Sequence, residues 1–99
     1  MATPAVIKVE GINYVMLYKH FDGNPEATLQ WLKDFNKDFT NNRGVDPSYK
    51  FAQLVRSSER DAKKYNLDAS KYTGWGVIET SEYASYVYTL LNTGDVYVS

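Results

Sequence analysis

Tyr18-Lys19-His20-Phe21-Asp22-Gly23-Asn24-Pro25-Glu26 is where an apolar strand pattern stops, a tight turn forms and a helix begins. The stretch holds the only histidine of the chain, a lysine, an acid, and a glycine beside a helix start, where free backbone N–H groups favour anions. On its N-terminal side, Ala5 to Glu10 alternates from Ile7 onward as a half-buried strand does, and Gly11-Ile12-Asn13 interrupts it with turn residues. A second strand follows from Tyr14 to Tyr18 or His20. Val15, Leu17 and Lys19 face one way along it, and Tyr14, Met16, Tyr18 and His20 the other. A hairpin at 11–13 pairs the two strands antiparallel; a bulge there makes them one long bent strand.

On the C-terminal side, Asn24-Pro25-Glu26 predicts a helix start. Asn accepts from free N–H groups as N-cap, Pro fits the first helical position, and Glu suits the positive end of the dipole. The helix extends to about Thr40, with Thr28, Leu32, Phe35 and Phe39, and Trp31 beside them, as its apolar stripe. Asn41 to Gly44 then stops it. Asp46-Pro47 repeats the start signal for a second helix reaching about Tyr65, with Phe51, Leu54, Val55, Ser58, Ala62 and Tyr65 spaced for burial. Asn66 to Lys71 is a polar connection. Tyr72 to Glu79 reads as a strand with two glycines in it, Tyr83 to Leu91 as another, and Asn92 to Asp95 turns into a last strand, Val96 to Val98. The order ββααβββ predicts a single α+β domain over 1–99, an antiparallel sheet with two helices packed on one face. The other face is then open, and Tyr14, Tyr18, Tyr72, Tyr86 or Tyr88 would make it a contact surface.

Composition narrows the function classes. A chain of 99 residues without cysteine can bury one core unaided, and it excludes thiolate metal sites, iron–sulfur clusters, cysteine nucleophiles and a disulfide framework. The 11 basic and 12 acidic residues give neither the basic footprint of a general nucleic-acid binder nor the acidity of a DNA mimic. The start Met1-Ala2-Thr3-Pro4 lacks the features of a signal peptide and no apolar run reaches membrane-spanning length, so a cytoplasmic protein without membrane contact is expected. Nine tyrosines against four phenylalanines and two tryptophans favour contact surfaces and half-buried sheet faces.

Lys19, His20 and Asp22 are the first candidate site residues. Histidine is the usual general base near neutral pH, and Asp22 could orient its imidazole; alternatively His20 ends a strand and Asp22 caps the turn. There is no nucleophile elbow, no second histidine for a metal, and no phosphate-cradling glycine loop, so neither catalysis, a metal nor a cofactor is expected. Gly74-Trp75-Gly76 marks a bulge or a close approach by another backbone or a ligand, with Trp75 either a core anchor or a stacking platform. Arg43, Arg56 and Arg60 could grip phosphate or carboxylate, or stand as solvated helix positions.

The run from Tyr18 to Glu26, with Phe51-Ala52-Gln53-Leu54-Val55-Arg56-Ser57-Ser58 and Tyr72-Thr73-Gly74-Trp75-Gly76-Val77, resembles a family of small uncharacterised proteins of phages, prophages and other prokaryotic genomes. The family hallmark is similar to Tyr-Arg/Lys-His-aromatic-Asp-Gly-Tyr-Pro-Glu; Asn24 stands here where a tyrosine is usual. The resemblance implies a mobile-element setting, in which small tyrosine-rich domains bind and block a host defence component. The expected function is therefore a non-enzymatic inhibitor that covers a protein surface such as that of a CRISPR effector in the host cytoplasm. The expected binding residues are Tyr18, Lys19, His20, Asp22, Arg43, Arg56, Arg60 and Trp75. Sequestration of an anionic nucleotide signal is the alternative, a small His/Asp hydrolase a third, and a homodimer is compatible with each.

Overall fold

Strong turn and helix signals place every element of this fold near its sequence position, and the computed structural model describes residues 2–99. Strands β1 (Ala5–Val9) and β2 (Met16–Lys19) lead into helices α1 (Pro25–Arg43), α2 (Pro47–Ser57) and α3 (Glu59–Lys64), and β3 (Trp75–Ile78), β4 (Tyr86–Leu90) and β5 (Val96–Val98) follow. Ile12 N–H donates to the Val9 carbonyl at 3.0 Å and Gly11 sits at φ 99°, so the chain reverses tightly and β1 and β2 pair as an antiparallel hairpin.

The start of α1 departs from expectation in its chemistry. Asn24 occupies the N-cap place, but its side chain accepts no helix N–H. Instead, Asn24 Nδ2 donates to Glu26 Oε2 at 2.9 Å, and Thr28 Oγ1 ties the helix to the preceding turn by donating to the Asp22 carbonyl at 2.6 Å. The second expected helix is two. At Ser58 the hydroxyl donates to Val55 O at 2.5 Å and the amide is shared between the Leu54 and Val55 carbonyls, so the ladder tightens and restarts as α3. That bend carries Asp61 down onto the sheet.

The sheet corrects the expected topology. Its order is β3-β2-β1-β4-β5, and β1 and β4 are parallel, with Ala5 opposite Tyr86 and Val9 opposite Leu90. The sheet is therefore mixed and not antiparallel throughout, and β3 lies at the opposite edge from β4 and β5. The reason lies in β1. Ala5, Val6, Ile7 and Val9 are all buried, so this strand needs a neighbour on each side and cover on both faces, the environment of a central strand.

On the helix face Ala5, Ile7, Val9, Leu17, Tyr88 and Leu90 pack with Leu32 of α1 and Leu54 of α2 in one core. The opposite face is not bare. The register runs β3 toward the Met16 end of β2 and starts β4 at the Ala5 end of β1, so residues 79–85 must cross two strands along a face. The helices fill one face and leave the other for this connection; Val6, which points to it, is fully buried. Of the five tyrosines expected on an open face, Tyr86 and Tyr88 belong to the helix-facing core and Tyr14 and Tyr72 lie outside the strands; Tyr18 alone stands in a strand on that side.

Buried polar groups fasten the far end. Asn36 Nδ2 donates to the carbonyls of Leu91 and Asp95 at 3.0 and 2.8 Å, and Lys50 Nζ to Leu91 O at 3.3 Å, holding the β4–β5 turn under α1 and α2. Burial holds the Lys50 amine below its ordinary pKa. Among the described residues, no helix is long and apolar enough to cross a membrane.

Candidate functional site

Alternation along β2 separates the motif's side chains. Leu17 and Lys19 point to the helices, and Met16 and Tyr18 to the other face. Tyr18 Oη and His20 Nδ1 lie 2.7 Å apart, and Phe21 meets the His20 ring edge-on at 4.6 Å between centroids. Lys19 is 3 % exposed, and its Nζ lies 2.5 Å from Asp61 Oδ2, a buried ion pair between β2 and α3.

The turn itself is clamped. Asp22 has φ 55°, a left-handed conformation that Asp tolerates better than most residues. Its carboxylate leaves the turn and reaches Lys64 Nζ at 2.7 Å and the Tyr65 hydroxyl at 3.4 Å, both at the end of α3. The hydrogen bond from Lys64 holds the Asp22 carboxyl below the ordinary carboxylate value, and the same bond raises the Lys64 ammonium. Gly23 N–H donates to the Thr3 carbonyl at 2.8 Å, and the Tyr88 hydroxyl donates to the Gly23 carbonyl at 2.6 Å.

These clamps bring three aromatic side chains together. Asn66 at φ 60° turns the chain after α3, and Tyr72 returns to stack on Tyr65 at 5.8 Å and 12° between planes. Tyr72 rests its hydroxyl against Gly74, where an added Cβ would displace the ring. Phe21, Tyr65 and Tyr72 line a shallow, almost wholly apolar recess of about 210 Å³, with the Asp22–Lys64 pair beside it. Burial first, then the negative charge of Asp61, pushes the Tyr72 hydroxyl up to about 12, so it stays a donor at any physiological pH.

The expected site residues therefore divide. Tyr18, His20 and Asp22 lie on or beside this surface, whereas Lys19 lies beneath it and is spent on Asp61. Trp75 sits opposite Lys19 and packs on the core with its Nε1 buried and unpartnered, closer to an anchor than to a stacking platform. Arg60 covers the Trp31 ring at 4.9 Å and lies 3.4 Å from Asp61, while Arg43 stacks on Tyr49 at 4.0 Å and pairs with Asp46 at the α1–α2 corner. Arg56 is exposed on α2, and among the described residues it has no ion-pair partner. The three arginines do not converge.

Sequence reasoning missed Phe21, Tyr65 and Lys64 as site residues, and offered Tyr72 only as one tyrosine of an open sheet face. Tyr65 has the spacing of a core position on an unbroken helix, and only the break at Ser58 turns it outward to 46 % exposure. The one available signal was the pair of aromatics, Tyr65 and Tyr72, flanking a polar connection.

Chemically, the arrangement suits contact more than turnover. His20 pairs with Tyr18 and Asp22 with Lys64, so the His–Asp pair that a general base would use is not assembled. Among the described residues no group of three His, Cys, Asp or Glu could hold a metal ion. A larger recess of about 480 Å³ lies between α1 and the β4–β5 turn, but Lys33 and Lys37 face Asp34 and Asp95 there and give it no single charge. Comparison of this chain with protein-family models, with curated proteins and with solved structures found no match.

Proposed function

We propose that this protein is a non-enzymatic binding protein that inhibits a host defence system of the CRISPR type by covering a protein surface in the host cytoplasm, as its resemblance to phage-type proteins implies. The observation that carries the binding reading is the recess of Phe21, Tyr65 and Tyr72. Rigid aromatic rings, two of the three with hydroxyl tips, gathered beside one ion pair, have the composition of an interface centre, where such rings supply most of the binding energy. The fixed turn adds preorganisation, because Asp22 and Gly23 are already held from α3, β4 and the N-terminal segment.

A nucleotide trap needs a concave cluster of uncommitted cations. Lys19, Lys64, Arg43 and Arg60 each face an acid of this same chain, which favours the protein-blocking reading over the trap. The separate partners of His20 and Asp22 likewise disfavour a hydrolase.

The test is phage plaquing on a strain with an active CRISPR system, with and without the expressed protein, together with mass spectrometry of what co-purifies. Restored plaquing and a stoichiometric effector protein are expected, both lost in Phe21→Ala/Tyr65→Ala with an unchanged circular dichroism spectrum. Undiminished defence across a panel of such systems would overturn the reading. A released nucleotide without a protein would replace it with the trap.

A further inference from the structure

We propose that the free edge of β3 pairs with the β3 edge of a second copy of this chain, antiparallel about a two-fold axis at Gly76. The bond from His20 N–H to the Gly74 carbonyl, 2.8 Å, together with the β2–β3 register, turns the backbone groups of Gly74, Gly76 and Ile78 toward β2. Trp75 and Val77 therefore aim their N–H and C=O groups away from the sheet. An edge of this kind is a template for another strand unless something protects it, and Trp75-Gly76-Val77-Ile78 carries no charge, proline or lysine. The opposite edge, β5, is only three residues long and follows directly on Asp95.

Gly76 supports a close approach. Its φ is not left-handed, and a Cβ added there would meet nothing within 4 Å, so neither backbone strain nor packing within the chain calls for glycine. A glycine inside a strand without an internal reason suits a site where another backbone comes near. With the axis at Gly76, the two glycines form a non-hydrogen-bonded pair, the close kind, with Cα atoms about 4.5 Å apart. Trp75 of each copy then exchanges both backbone hydrogen bonds with Val77 of the other.

The self-complementary pattern selects a second copy as the occupant. The outward positions on either side of Gly76 are equivalent under the two-fold, so Trp75 of each copy faces Val77 of the other, an aromatic–β-branched cross-strand pair made twice. A net charge of −1 per chain opposes the pairing little. Val77, 52 % exposed in the single chain, becomes covered.

Sedimentation equilibrium of the purified protein tests this, from about 1 μM to about 1 mM, the range of weak to moderate association. The expected mass at the upper end is twice the 11.3 kDa of one chain. Val77→Lys is expected to weaken the dimer more than about tenfold by placing a charge on the edge. Val77→Pro should do the same, because it removes an outward N–H while leaving every bond to β2 in place. Tyr97→Lys on β5 should leave the mass unchanged, and circular dichroism of all three should match the parent. Amide exchange gives a second readout: the Trp75 and Val77 amides should be protected at high concentration and exchange freely at low. A monomer throughout the range overturns the proposal. So does a dimer that survives both Val77 variants, or one in which those two amides stay unprotected. Because no host component enters the measurement, its failure leaves the binding-protein reading untouched.

Discussion

Lys19 reads as a surface cation in a motif full of polar residues, yet the strand's alternation puts it on the same face as Leu17, under α3. A buried lysine without a partner would be neutralised or expelled, and Asp61 is what keeps it there. Removing one partner is therefore far worse than removing both. Lys19→Met should lower the unfolding free energy by about 3–5 kcal/mol, and adding Asp61→Leu should recover most of that loss. Urea denaturation of the two variants beside the parent measures both numbers; a single variant within about 1 kcal/mol of the parent would show that the pair does not hold α3 to the sheet. Asp22 is the opposite case. Its bond to Lys64 is solvent-exposed on both sides and contributes little to stability, so its value lies in fixing the rim of the aromatic recess.

At the scale of elements, the β2–α1 turn is held by backbone contacts that leave no room. A Cβ on Gly23 would lie 2.5 Å from the Thr3 carbonyl and 2.7 Å from the Ala5 Cβ, the one just before the central strand β1 and the other its first residue. Gly23→Ala should destabilise the fold by about 1–3 kcal/mol, the cost of forcing a turn off a packed strand. Gly76→Ala, where nothing stands within 4 Å, should instead be neutral or stabilise by about 0.4–1 kcal/mol through the unfolded chain. Thermal melts of the two variants decide the matter, and equal shifts for both would contradict the geometry. The break between α2 and α3 is the other decisive element feature. Had the helix continued through Ser58, neither Asp61 would reach Lys19 nor Tyr65 meet Tyr72.

For the whole molecule, the parallel β1–β4 pair joins residues 5–9 to 86–90, so the two ends of the chain meet in the middle of the sheet. Closing so long a loop is entropically costly, and the central pair forms only when the fold as a whole forms. Native-state hydrogen exchange should accordingly be slowest at Val6 to Val9 and Tyr88 to Leu90, opening only by global unfolding, and fastest over residues 79–85 and the α3–β3 connection. Faster exchange in β1 than in β3 would refute the central placement. The aromatic recess sits on the less protected side, near an edge strand and a short helix. Binding surfaces are commonly drawn from such regions, where a scaffold holds them without burying them.

Local chemistry determined much of this protein by itself. Turn residues and helix starts located the elements, the alternation in β2 sorted Leu17 and Lys19 from Met16 and Tyr18, and Asp22, Gly23 and Pro25 marked the turn on which the fold is hung. These are contacts between residues close in sequence, and their signals are local. Tertiary structure alone decided the rest. Which strand lies beside β1, that residues 79–85 cover one face, that Lys19 belongs to Asp61, and that Phe21, Tyr65 and Tyr72 share a recess all depend on pairings across forty or more residues. The physical reason is that such pairings follow from burying β1 on both faces at once, a demand met by the packed chain as a whole and by no stretch of it alone.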